Sequence, residues 1–419
     1  MTLCCLRVPT GFHFLIAAQF ASALADNALL IVTIALMQQQ GLPGWWAPLL
    51  KFGFTLSYVL LAPFVGPLAD AIPKARLMAW MNGVKLVGVL ALLTGLHPVA
   101  AFTIVGFGAA AYAPAKYGLI TEICGAERLV AANGWLEVTV VCAALLGAVL
   151  GGVLVSPWLL GLLPDGVGLS GPMAVLVGVY VLASLLNLGI PDSGARYPAC
   201  VIHPGALVRD FAAANRTLWR DRDGGLSLAV TTIFWGVGAT LQFAVLRWSG
   251  EALGLSLDRA AILQAAVAVG VVVGAGIAGR WVPLAAAKRM LVFGVVLGLL
   301  MPVVAVTRSL PGAIALLMLT GAVGGLMVVP LNALLQHRGY TLLSAGRSIA
   351  VQGFNENASV LVLLGVYTAL LALEVPTATL MCGLGLLVAL ALALLMRREW
   401  RRRNVQPDNS SVRPEAAPH

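Results

Sequence analysis

Charged residues are scarce in this sequence: Asp, Glu, Lys and Arg together make up 10% of its 419 residues, against roughly 25% in an ordinary soluble domain. So few charges cannot solvate the surface of a soluble chain this long. A cytosolic enzyme, a nucleic-acid binder and a disordered scaffold are therefore set aside. Histidine is scarcer still, with five in all. None has an aspartate five residues on, so the His-x-x-x-x-Asp of lipid acyltransferases is missing, and there is no Gly-x-x-x-x-Gly-Lys phosphate loop. A membrane enzyme of lipid acylation is left as a remote alternative. The six cysteines, Cys4, Cys5, Cys124, Cys142, Cys200 and Cys382, form no Cys-x-x-Cys, and no histidine sits at zinc spacing. They read as small apolar packing residues. No catalytic residue, metal or cofactor is expected.

What is abundant is apolar surface: 60% of the residues are hydrophobic and the mean hydropathy is +0.94. A spanning helix takes about 20 apolar residues. Spans are predicted at 12–37, 46–70, 76–96, 98–121, 129–155, 172–190, 226–250, 259–281, 289–307, 311–335, 347–371 and 376–397. The first run is too long for a signal-peptide core, has no small-residue cleavage pattern and carries Asp26, so it reads as a retained span. The longest polar interruption, 191–225, is read as a cytoplasmic linker. It divides an N-terminal six-helix bundle (1–190) from a C-terminal one (226–397). The stretch 398–419 is basic, then polar with prolines, and is expected to be a disordered cytoplasmic tail.

Orientation follows from the bias of Lys and Arg. Of 26 basic residues, Lys51, Lys85 and Lys116 lie within spans, and Arg247, Arg259 and Arg308 lie at odd-to-even connections. All the others sit at the N-terminus, at even-to-odd connections or in the tail. Both termini are thus expected in the cytoplasm, and the net charge of +9 reflects that topology and the anionic inner leaflet.

The two halves echo each other. RLVAANGWLE, Arg128 to Glu137, matches RSIAVQGFNE, Arg347 to Glu356, in its arginine, alanine, amide, glycine, aromatic and glutamate. Asn133 pairs with Gln352 and Trp135 with Phe354. One copy opens span five and the other span eleven. Between spans two and three runs GPLADAIPKARL. Gly66, Leu68, Ala69, Asp70, Lys74 and Arg76 resemble the loop motif of the major facilitator superfamily, although the family's usual glycine and one arginine are replaced near Pro73 and Ala75. Parallel six-span repeats are that superfamily's plan. The fold expected is an all-α membrane protein of twelve transmembrane helices in two pseudo-repeated bundles. Gly66, Asp70, Lys74 and Arg76 would form a conformational clamp: the glycine permits close helix approach, and the charges hold one state of a two-state carrier.

Charge in the hydrocarbon is expensive and usually functional. Asp26, beside Asn27, lies mid-span in AQFASALADNALL, and Lys85 lies mid-span in MNGVKLVG. Lys116 follows Pro114 and precedes Tyr117. Glu137 and Glu356 lie eight or nine residues into spans five and eleven. Bland roles stay open: Lys85 as a fixed partner of Asp26, the glutamates as partners of Arg128 and Arg347 or of helix ends, Lys51 and Arg247 as snorkelling anchors. Mixed signs suit a zwitterionic head group better than a simple ion. The superfamily resemblance implies that spans one, four, seven and ten line the cavity, which would bring Thr240, Gln242, Asn332 and Gln336 to it. Proton-coupled exporters of drugs or small solutes share this fold, and in that alternative Asp26, Glu137 and Glu356 would carry protons.

A closer resemblance rests on AQFASALADNALL, LAPFVGPLAD, NGVKLVG, AAAYAPAKYG, ANGWLE, FWGVGATLQF, VVPLNALLQ and QGFNENA, in order over 15–395. Together they are similar to the bacterial lysophospholipid transporter family. That resemblance implies movement of lysophosphatidylethanolamine across the inner membrane to the cytoplasmic side by facilitated diffusion. It also implies functional coupling to a separate acyltransferase/acyl-carrier-protein synthetase. Lys116, with Lys85, would meet the phosphate. Asp26 and one of Glu137 or Glu356 would meet the ammonium. Asn27, Tyr117, Gln242 and Asn332 would bond the glycerol or phosphate, with the tail between the halves. The family carries an arginine where this chain has Gln242. Arg247, five residues on, points elsewhere on the helix.

Overall fold

A computed structural model describes residues 10–42, 46–164, 167–197, 203–255 and 257–405. Twelve helices in it are long and apolar enough to cross a membrane. The first six spans are α1 (Thr10–Gln39), α2 (Ala47–Ala71), α3 (Lys74–Leu93), α4 (Pro98–Ile123), α5 (Leu129–Leu154) and α7 (Ser170–Leu188), with a one-turn α6 (Pro157–Leu160) between the last two. After α8 (Pro204–Arg220), the second six are α9 (Arg222–Leu253), α10 (Leu257–Trp281), α11 (Leu291–Val306), α12 (Leu310–Leu342), α13 (Ala345–Ala372) and α14 (Thr377–Val405). Alternate spans run antiparallel. One end of the bundle, here the basic end, collects the start of α1, the α2–α3 turn, α8 and the close of α14.

Local chemistry sets these ends. Pro98 and Pro204 occupy the first positions of α4 and α8, where a missing N–H costs nothing. Asp221 caps α9, its carboxylate accepting from the backbone of Asp223 at 3.2 Å and Gly224 at 2.7 Å. Gly254 closes the same helix at φ +64°, a conformation that glycine adopts without a Cβ penalty. Small residues let spans meet backbone to backbone. A Cβ on Gly147 would stand 2.6 Å from the Leu24 carbonyl, and one on Gly325 2.6 Å from that of Val271. Thus α1 lies against α5 and α10 against α12. Leucines and valines such as Val149, Leu185, Val362 and Leu387 stay exposed on the outside, as a lipid-facing surface requires.

Two stretches differ from expectation. The polar interruption holds a docked helix: Leu207, Ala214 and Leu218 of α8 are buried. Phe211 packs edge-on to Phe354 at 5.2 Å, and the Trp219 Nε1 donates to the Asn355 amide oxygen at 3.1 Å. This helix touches α2 of the first half as well as α9 and α13 of the second. The composition from 398 onward predicts disorder, but α14 continues to Val405. Glu399 explains the extension, because it is buried and accepts from Arg222 at 2.9 Å and Lys288 at 3.2 Å. Residues 406–419 lie outside the described residues, as do Cys4, Cys5 and Cys200. Cys124, Cys142 and Cys382 are free and half-buried.

Candidate functional site

The first half encloses a cavity of about 240 Å³. Its wall comes from α1 to α5, and its charged lining is Asp26, Lys51, Lys85 and Lys116. Lys85 donates to Asp26 Oδ2 at 2.7 Å and to Ser22 Oγ at 2.8 Å. The Tyr180 hydroxyl donates to Asp26 Oδ1 at 2.7 Å. Ser22 in turn donates to Asn82 at 2.7 Å. The Lys85 side chain is 2% exposed and that of Asp26 17%. Removing one member would strand a desolvated charge. Lys85 is thus a partner of Asp26, and it does not present a free ammonium for phosphate.

Lys116 is different. It lies over the Tyr117 ring at 4.4 Å and makes no hydrogen bond or salt bridge among the described residues. Pro114 removes one backbone bond from α4 just before it. Asn27 lines the cavity with its amide nitrogen given to the Ala23 carbonyl at 2.8 Å, which leaves the amide oxygen facing outward from that bond. Lys51, which the sequence suggests is a snorkelling anchor, also lines the cavity, 5.8 Å above the Phe54 ring. One signal in the sequence points to it: Lys51, Phe54 and Tyr58 stand at i, i+3 and i+7, on one helix face, and all three line the wall.

The remaining candidates lie outside this lining. Glu137 is buried and, among the described residues, has no hydrogen bond or salt bridge. Glu356 accepts from the Gln352 amide at 2.8 Å, and that amide also reaches Asn332 at 3.0 Å. These three residues form a polar layer between α12 and α13, and Asn332 is a buried partner in it, not a lining residue. Gln242 is exposed, and its backbone carbonyl accepts from the Gln264 side chain at 2.8 Å. Arg247 is exposed and paired with Glu251 at 2.7 Å on its own helix. It therefore does not stand in for an arginine at 242. The residues that line this cavity come from α1 to α5, and none of Thr240, Gln242, Asn332 and Gln336 is among them.

The basic end is shut by contacts between the halves. Asp70 Oδ1 accepts from the Gly346 backbone N–H at 2.8 Å, and Asp70 Oδ2 from the Ser344 hydroxyl. A Cβ on Gly66 would stand 3.0 Å from Arg347 Cα, so α2 and α13 touch where the glycine allows it. Asn133 and Gln336 exchange two amide bonds at 2.8 Å between α5 and α12. Two expected clamp members act otherwise. Lys74 turns within its own half, at 2.5 Å from Glu122 and 3.8 Å from Asp70. Arg76 is exposed and makes no salt bridge among the described residues. Glu122 also accepts from Tyr197 at 2.7 Å and Ser193 at 2.6 Å. Burial and that carboxylate hold the Tyr197 phenol above its usual range. These contacts close the seam at the basic end, while exposed Lys51 lines the cavity near the start of α2, toward the far end.

Residues 15–354 match the Major Facilitator Superfamily model. The chain is 44% identical over 368 residues to "Lysophospholipid transporter LplT" of Yersinia enterocolitica serotype O:8 / biotype 1B, covering 87% of this chain and 88% of that protein. It is also 44% identical over 363 residues to the protein of the same name from Yersinia pestis (strain Pestoides F), covering 86% and 87%. Among solved structures it is similar to the transporter FucP in the outward conformation, at TM-score 0.70 and 16% identity over 93% of this chain and 98% of that one. A bacterial homologue of the iron transporter ferroportin in the outward-facing state gives TM-score 0.71 at 14% identity, over 94% and 100%. Those two likenesses show the fold.

Proposed function

This chain belongs to the lysophospholipid transporter family of the major facilitator superfamily, and from that premise we propose that it moves lysophosphatidylethanolamine across the bacterial inner membrane to the cytoplasmic side. The basic end faces the cytoplasm in this reading, supported by the bias of Lys and Arg toward it. Transport is facilitated diffusion by alternating access: the halves part at one end while they meet at the other. A separate acyltransferase/acyl-carrier-protein synthetase then restores the second acyl chain.

One observation carries the head-group assignment. Within one cavity stand an ammonium with no hydrogen bond or salt bridge among the described residues, on Lys116, and a carboxylate with capacity to spare, on Asp26. A carboxylate has about four acceptor sites, and Asp26 uses two of them, on Lys85 and Tyr180. The substrate phosphate meets Lys116 as a charge-assisted acceptor. Its ammonium approaches the open side of Asp26, and Asn27 bonds the glycerol. Glu137 and Glu356 lie outside the wall.

A test is reconstitution in liposomes with labelled lysophosphatidylethanolamine. Wild type transports, while Asp26→Asn and Lys116→Ala lose most of the rate. Equal rates in all three would refute the head-group site, and an inactive wild type would refute the substrate. Glu137, buried and without a hydrogen bond or salt bridge among the described residues, favours one competing reading, a proton-coupled exporter. That reading requires the rate to follow an imposed pH gradient, whereas facilitated diffusion leaves it unchanged by ionophores.

A further inference from the structure

Four charged side chains line the cavity, and two of them, Asp26 and Lys85, pair with each other at 2.7 Å. Two cations remain, Lys51 and Lys116. Neither makes a hydrogen bond or salt bridge among the described residues, and each lies near an aromatic ring, Phe54 at 5.8 Å and Tyr117 at 4.4 Å. Their depths differ. α2 and α4 both begin at the far end, at Ala47 and Pro98. Lys51 lies four residues past the first and Lys116 eighteen past the second, so their backbone positions differ in depth by roughly 20 Å at 1.5 Å per residue. Lys51 is exposed, whereas Lys116 is half-buried. The two lysines thus stand at different depths of one cavity, whose lining also holds the Asp26–Lys85 pair.

We propose that Lys51 is the capture residue of the transport path: it takes the phosphate of an arriving lysophospholipid at the mouth and passes it inward to Lys116. This rests on the reading that the substrate is a lysophospholipid. The physical case has two parts. A lipid head group arriving in an opening of low polarity needs a counter-charge before it sheds its water. A lysine on a flexible stem, exposed and without a fixed partner, supplies one without breaking an existing ion pair. Because Lys51 has no carboxylate to leave and holds the phosphate only while it is hydrated, release inward stays fast. Lys116, deeper and less exposed, binds after desolvation and so acts on the translocation step. Lys51 therefore sets apparent affinity, and Lys116 sets turnover.

The experiment measures initial rates against lysophosphatidylethanolamine concentration in proteoliposomes, for wild type, Lys51→Gln, Lys51→Arg and Lys116→Gln. The expected result is a KM raised about five- to tenfold in Lys51→Gln with kcat within twofold, the loss of one charge-assisted contact. Lys51→Arg restores KM, which a loss of folding would not allow. Lys116→Gln lowers kcat. Raising salt from roughly 0.05 to 0.5 M, which shortens the screening length severalfold, moves the wild-type KM toward that of Lys51→Gln and leaves the variant's nearly fixed. An unchanged KM in Lys51→Gln, or failure of Lys51→Arg to restore it, overturns the inference while the transport reading stands. A wild type that moves no lysolipid overturns both.

Discussion

The two halves of this protein share a sequence pattern and do different work. The first half holds every charge that lines the cavity: Asp26, Lys51, Lys85 and Lys116. The second half has a network of ion pairs at the basic end, where Lys288 pairs with Glu399 and Asp223, Arg222 with Glu399, and Arg338 with Asp221. These four pairs stay within that half and its linker. The first half's Asp70 instead reaches across to the start of α13. Even the matched segments diverge. Asn133 bonds Gln336 across the seam, whereas its counterpart Gln352 bonds Asn332 and Glu356 within its own half. The difference between the halves is one of placement: the first holds the charges of the cavity, and the second braces its charges against one another.

The largest effect that would break this comparison is on transport. Lys116→Ala should lower the rate of labelled lysolipid movement by two orders of magnitude or so, whereas Gln242→Ala, an exposed position on the second half, should stay within twofold. Equal losses would show that both halves bind the head group.

Next comes stability inside the first half. Lys85→Met leaves the Asp26 carboxylate desolvated and unpaired, at a cost of about 3–5 kcal/mol. Adding Asp26→Asn should recover part of it. A thermal-unfolding cycle in detergent measures the coupling, and strictly additive losses would mean that the pair is not an interacting unit.

The latch distinguishes the halves at the basic end. Gly66→Val places a side chain where even a Cβ is 3.0 Å from Arg347 Cα. It should raise the labelling of a cysteine introduced as Ala350→Cys on a cysteine-free background, and slow transport about tenfold. Lys288→Ala should instead lower thermal stability by about 1–3 kcal/mol without changing that labelling.

The smallest effect concerns pH. Burial of Asp221 would raise its carboxyl pKa, but the Arg338 guanidinium and the backbone N–H donors outweigh it and leave it below the usual carboxylate range. A depressed folded pKa means that stabilisation is present above the unfolded value, near 4, and is lost as pH falls through the folded one. The Tm gap between wild type and Arg338→Met should therefore shrink between about pH 5 and pH 3. A constant gap would assign that arginine's contribution to packing alone.

Much of the frame is legible in the sequence, for a simple reason. An apolar run of about 20 residues has one stable answer in lipid, and each of the twelve expected spans corresponds to a helix. Asp26 and Lys116 stand out as charges in hydrocarbon, and both line the cavity. Helix α8 escapes a reading by polarity although its signal is present. Leu207, Phe211, Ala214 and Leu218 recur at spacings of four, three and four, an amphipathic stripe hidden in a polar segment. Lys51 does not stand out as a lining residue in the sequence, because a lysine near a helix end looks the same whether it snorkels to the interface or faces a cavity. Glu137 and Glu356 look equivalent because they occupy matched positions, yet only the second has a hydrogen-bond partner among the described residues.

The sequence by itself determined the solvent, the number of spans, the family and the few residues worth asking about, because composition, local periodicity and short motifs are properties of a single strand. Only the tertiary structure decided which of those residues are already satisfied. Pairing depends on which helices become neighbours, and the Asp26–Lys85 bond joins positions 59 apart in the chain. That one contact engages Lys85 and leaves Lys51 and Lys116 as the cavity's free cations among the described residues.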